Sequence, residues 1–128
     1  MPISYRIDTQ DERIIVNLTG SVSLEEIFDT IKNALRDPAF KPGFNVLSDH
    51  RGVDRVITPG ELESTVSLLI EFAGLLRETK WAIVTVKPAS YGMMRMLEVH
   101  AERIPMKVKV FKEMDAAEHW LSSSDTPA

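Results

Sequence analysis

The run WAIVTV, Trp81 to Val86, constrains the fold more than any other stretch of the sequence. It is an almost unbroken apolar segment rich in β-branched side chains, the pattern of a strand buried on both faces. Such a strand asks for helices packed on the sheet that contains it.

The flanking segments supply those helices. Ser23 opens SLEE with Glu26 three residues on, a capping box in which serine and glutamate each satisfy a free backbone N–H. The following helix places Leu24, Ile27, Phe28, Ile31 and Leu35 on one stripe, and DPAFKPG stops it. TPGE, Thr58 to Glu61, is a second start signal, with a hydroxyl at the cap and proline at the first helical position. A helix is expected there from about Pro59 to Arg77. KPASYG opens a third, with Ser90 as a candidate cap, Met93, Met96, Leu97, Ala101 and Ile104 at helical spacing, and Pro105 at its end. DAAEHWL makes a short fourth that turns Ala117, Trp120 and Leu121 toward a core.

Strands fill the gaps. Ile3, Tyr5 and Ile7 alternate with polar residues, as do Ile14, Val16 and Leu18 beyond the polar link TQDER, so the two runs read as an antiparallel hairpin. FNVLSD is a short strand, and MKVKVF alternates apolar residues with lysine as near a sheet edge. The order β-β-α-β-α-β-α-β-α predicts an α/β fold: a mixed sheet, an N-terminal hairpin, then strand–helix units. With 128 residues the chain reads as one domain over residues 1–121, followed by a polar tail over 122–128 that is expected to fray.

Composition removes several functions. A net charge of −4 with interspersed signs argues against a nucleic-acid face, which needs concentrated basic charge. The absence of cysteine excludes disulfides, thiolate catalysis and cysteine metal sites. No stretch has the length of a transmembrane span and the N-terminus lacks a signal-peptide pattern, so a cytoplasmic protein is expected. His50, His100 and His119 lie far apart without metal-ligand spacing, and no phosphate-binding glycine loop occurs. No metal and no cofactor is expected.

The densest ionisable stretch is LSDHRGVDRVITPGELE, Leu47 to Glu63, read as a charged loop between a strand and a helix. Ser48, His50 and Asp54 have the residue types of a nucleophile, base and acid, but adjacency in sequence is not triad geometry and no nucleophile elbow is present. No catalytic residue is assigned. Asp49, His50, Arg51, Asp54, Arg55 and Thr58 are instead candidates for a partner-binding loop. The helix after it is more apolar than one sheet-covering stripe requires. Leu68, Phe72 and Leu75 form a second stripe, which is either core between the sheet and a neighbouring helix, a dimer face, or the wall of an apolar pocket that Met93, Met94 and Met96 would help to line.

The chain from the hairpin through AAEHWL resembles the SpoIIAA-like family of small bacterial proteins. VLSDHRGV, WAIVTV and VFKEMDAAEHWL carry that likeness. The resemblance implies the STAS fold of anti-sigma factor antagonists, which is similar to CRAL-TRIO lipid-binding domains. Against the antagonist pattern G-V-x-x-I-D-S-S-G-L, the stretch GVDRVITPGEL sets Thr58 on the phosphorylated serine and Gly60 on the glycine. Ile57 stands where the pattern has aspartate and Pro59 where it has the second serine. The resemblance thus implies a non-enzymatic regulatory and protein-interaction module, homodimeric, with Thr58 as a candidate phosphosite. The alternative is a domain that binds a small apolar or lipid-like molecule.

Overall fold

The computed structural model describes residues 2–104 and 106–123. Among these, five strands form one mixed sheet in the order β1-β2-β3-β4-β5. β1 (Ile3–Asp8) and β2 (Arg13–Gly20) make the antiparallel hairpin, Ile3 opposite Leu18 and Ile7 opposite Ile14. β3 (Asn45–Val53), β4 (Thr79–Val84) and β5 (Met106–Phe111) follow in parallel, joined through α1 (Leu24–Arg36), α2 (Pro59–Glu71) and α3 (Pro88–His100). α4 (Met114–Ser122) closes the chain.

Alternation along β4 explains its composition. Trp81 and Ile83 face a core shared with Leu35 of α1, Leu62, Val66 and Leu69 of α2, and Met94 and Leu97 of α3. Ala82 and Val84 point the other way, onto Ala117 and Leu121 of α4. Burying a side chain the size of Ile83 contributes roughly 2 kcal/mol, and Ala82, Ile83 and Val84 are completely buried. Three helices thus cover one face of the sheet, and among the described residues α4 is the helix that covers the other. The far end of α4 is fastened by cations at its free carbonyls. Lys80 Nζ donates to the Trp120 and Ser123 carbonyls at 3.1 and 2.8 Å. Arg13, buried on β2, donates to Ser122 Oγ at 2.6 Å.

Both predicted capping boxes are present, at Ser23–Glu26 and Thr58–Glu61. Four expectations need correction. α2 ends at Glu71 rather than Arg77, and Phe72 to Glu78 form turns, so Leu68, Phe72 and Leu75 do not share one helical stripe. Glycine at position 74, a poor helix former, lies in those turns. Ser90 is buried within the first turn of α3, whose cap position is Lys87 with no side-chain capping bond. α3 itself ends at His100 and Ala101–Arg103 form a 3₁₀ turn, while Pro105 lies outside the described residues. The polar tail begins later than residue 122, because Ser122 closes α4 and Ser123 accepts from Lys80. Residues 124–128 of that tail lie outside the described residues.

Candidate functional site

The largest departure from the sequence reading is the length of β3. It runs to Val53, with Thr19 paired to Gly52 and Gly20 to Val53, so Asp49, His50 and Arg51 belong to a strand rather than a loop. The hydrogen-bond ladder with β2 outweighs the unfavourable strand propensity of Asp and Gly. Strand alternation then separates the charged cluster. Asp49 lies on the face of Leu47, and a bulge between Asp49 and Gly52 in the pairing with β2 breaks strict alternation beyond it. Arg51 Nε and Nη2 reach back to the Asp49 carboxylate at 2.9 and 2.8 Å. These bonds hold Asp49 below the usual carboxylate range. His50 points the opposite way with Ser48, under the three helices. Asp54 is exposed just beyond the strand, and its N–H donates to the Gly20 carbonyl.

His50 meets a polar chain inside an otherwise apolar layer. Its Nε2 lies 2.8 Å from Ser48 Oγ, which also accepts the Trp81 indole N–H at 2.8 Å. Enclosure by protein pushes the imidazole pKa down to about 4, against a smaller opposing pull from the Asp49 charge. The ring stays neutral at physiological pH because an imidazolium there would lose its hydration.

Space surrounds the ring. Two cavities, each of about 60 Å³, lie between α1 and the sheet and share Leu18, Ile27, Ile31, His50 and Trp81 as walls. Each has room for several waters or a short hydrocarbon group. One runs toward the carboxyl ends of the parallel strands, past Val53, Ile57 and Met93. The other runs toward the opposite end, past Ile14, Val46 and Met106. Clefts at the carboxyl ends of strands are where open α/β sheets place ligands.

The rim at that end is rigid and charge-balanced. Arg55 grips Glu61 through two bonds of 2.8 and 3.0 Å and donates Nε to the Val22 carbonyl at 3.0 Å. Glu61 accepts the Thr58 N–H at 2.9 Å, and Thr58 Oγ1 accepts the Glu61 N–H at 3.1 Å. The Arg55 guanidinium, then the Thr58 N–H, hold the Glu61 carboxyl below its ordinary range, and Arg55 is raised in turn. The Lys87 ammonium donates to the Val53 carbonyl, joining the start of α3 to this rim. Thr58 itself is exposed.

The remaining candidates divide. Met93 and Met94 line the first cavity, whereas Met96 is 47% exposed. Leu68 is buried and Phe72 and Leu75 are half-buried against the core, none of them on a cavity wall. The apolar side chains that α2 and α3 do leave exposed are Ile70, Met96 and Val99. Trp81 escaped the sequence reading as a site residue. Its signal was an indole in a doubly buried strand, because a buried Trp N–H needs an acceptor. Among the described residues no three metal-ligating side chains converge, and no helix is long and apolar enough to cross a membrane.

The fold is SpoIIAA-like. The chain superposes with a TM-score of 0.62 and 18% identity on an uncharacterized protein of the DUF3478 family with a SpoIIAA-like fold from Shewanella loihica PV-4, covering 93% of each chain. No protein-family model matches the chain, and neither does any curated protein.

Proposed function

We propose that this protein is a non-enzymatic, STAS-like regulatory module whose core takes up a small apolar molecule. The observation that carries the reading is the pair of apolar cavities that share half-buried His50 as a wall. Interiors are normally filled to crystal-like density, so unfilled volume bordered mainly by leucine, isoleucine and methionine, with a few polar groups such as His50 and Arg55, is the signature of a ligand site. Binding rather than catalysis is favoured by the state of the two reactive-looking residues. Ser48 is 3% exposed beneath Trp81, and an imidazole with a pKa near 4 is a feeble base at neutral pH. A ligand under α1 and α3 would bear on the Thr58–Glu61–Arg55 rim, where a partner could read its presence. The test is thermal denaturation with a panel of short-chain apolar compounds, on wild type and on Ile31→Trp, which fills the shared volume. Tm should rise with ligand in wild type and not in the variant; a panel that leaves wild type unmoved refutes the reading.

A self-association face is the second reading, favoured by exposed Ile70 on α2 and by Met96 and Val99 on the neighbouring α3. Exposed apolar groups of this kind suit a homodimer or a protein partner. Light scattering should give a dimer mass that Ile70→Glu with Val99→Glu halves, and a monomeric wild type ends this reading.

A further inference from the structure

We infer that the molecule held in this cavity is a carboxylate with an apolar tail, its head bound at the first turn of α3 by the Ser90 hydroxyl. This rests on the cavity being a ligand site and adds the head group that the ligand carries. Most polar side chains on the wall of the first cavity are already spent. They are His50, Arg55, Thr65 and Ser90. The Arg55 guanidinium is committed to Glu61 and to the Val22 carbonyl. The Thr65 hydroxyl donates to the Glu61 carbonyl at 2.9 Å, and His50 pairs with Ser48. Ser90 is different. It is 8% exposed, and its hydroxyl has no hydrogen-bond partner among the described residues. Nor is that oxygen sealed from water, because Thr79 Oγ1 is the sealed, unpartnered side-chain atom among the described residues. The Ser90 oxygen therefore borders open space, and the space that this buried residue walls is the first cavity. A buried hydroxyl without a partner is costly unless a ligand supplies one.

The backbone beside Ser90 offers donors of the same kind. Pro88 opens α3 and has no N–H, and the first helical bond runs from the Tyr91 N–H to the Lys87 carbonyl at 2.8 Å. The N–H groups of Ala89 and Ser90 precede that bond, so the helix gives them no acceptor. No side-chain cap supplies one. A free hydroxyl and free N–H groups at the positive end of a helix favour an anion over a neutral acceptor. The charges around the cavity agree. The Lys87 ammonium rests on an uncharged partner, the Val53 carbonyl, and Val53 is itself a cavity wall. No carboxylate is among the residues that wall the first cavity, and Glu61 beside it is paired with Arg55. A carboxylate brings one negative charge and two acceptor oxygens to this set of donors. Its tail lies along Leu18, Ile27 and Ile31, the walls that lead on to the second cavity.

The test is NMR titration of ¹⁵N-labelled protein with three probes of matched chain length: hexanoate, n-hexane and hexylammonium. Hexanoate should bind most tightly and move the backbone amides of Ala89 and Ser90, which hexane should leave in place. Ser90→Ala should weaken hexanoate by roughly tenfold, the worth of one hydrogen bond to a charged group, and leave hexane binding unchanged. The same variant should keep the Tm of the free protein, because the hydroxyl it removes bonds nothing there. Ile31→Trp should abolish hexanoate binding by filling the path of the tail. The inference is overturned by hexane or hexylammonium binding as tightly as hexanoate, or by Ser90→Ala binding hexanoate as well as wild type does. Hexanoate that leaves the Ala89 and Ser90 amides unmoved in wild type overturns it too, whatever the variants do. Each of these results leaves the cavity reading standing so long as a probe binds wild type and not Ile31→Trp. Failure of all three probes to bind removes both.

Discussion

Acidification should destabilise this fold through His50. The unfolded imidazole titrates near its ordinary 6.5, and the folded one near 4. Between those values the unfolded chain carries a proton that the folded chain refuses, so stability falls as pH falls and recovers as pH rises. Lowering from 6.5 to about 4 at about 1.4 kcal/mol per pH unit gives a loss of about 3 kcal/mol across the window. For a domain whose total stability is of order 5–15 kcal/mol, that is a substantial share. The assay is urea unfolding of wild type and His50→Leu at a series of pH values across the window. Asp49 and Glu61 have lowered pKa values, so their contributions are present above their ordinary 3.8 and 4.5 and fade at the acid end or below it. The Glu61 contribution is common to both proteins, and the His50 charge is the smallest of the influences on Asp49, so the difference in slope reports chiefly His50. Wild type should lose stability toward acid more steeply than the variant, by roughly 3 kcal/mol in all. Parallel curves would refute the burial argument.

Other perturbations test the parts around it. Thr58→Ala should cost about 1 kcal/mol in urea unfolding by removing the cap of α2, whereas Thr58→Asp, itself a good cap, should cost little. Trp81→Phe should keep most of the packing but leave Ser48 without its donor, costing roughly 1–2 kcal/mol. With Trp120→Phe in the background, Trp81 becomes the sole indole, and its fluorescence should change when a ligand fills the cavity. Arg13→Met should speed hydrogen exchange at the end of α4 and leave α1 to α3 unchanged, because Arg13 reaches Ser122 and not the other helices. Ile83→Ala should cost about 2–5 kcal/mol by thermal denaturation, since its side chain is wholly buried and cannot be replaced by water.

Much of the fold was legible because its signals are local. The two capping boxes, the alternation of the hairpin and the doubly apolar run of β4 each depend on residues within a few positions of one another. The limits of the second helix were not legible in this way. Leu75 and Leu76 continue an apolar pattern that helix and turn share, and tertiary packing of Leu76 into the core decides in favour of the turn. The site was less legible still. Asp49, His50, Arg51 and Gly52 have the composition of a loop, and it is pairing with β2, some thirty positions earlier, that makes them a strand. Once they are in a strand, alternation separates Asp49 from Ser48 and His50, and a bulge between Asp49 and Gly52 sets Arg51 against the Asp49 carboxylate. The partner that completes the site, Trp81, lies 33 residues from Ser48 in the chain. No spacing rule joins them.

The inward face of β3 argues for a site on grounds apart from the cavities. Val46, Ser48 and His50 turn toward the three-helix layer, and the neighbouring strand presents Trp81 and Ile83 to the same layer. A strand that served packing alone would carry apolar side chains at 48 and 50. Polar groups in that position cost stability unless they are bonded. Ser48 is bonded twice, but the His50 ring only once. Empty volume is a second departure from good packing, because a void forfeits dispersion contacts on every wall. Either feature alone would be a defect to explain. Their coincidence at one residue that walls both cavities is economical if a bound molecule supplies the missing contacts.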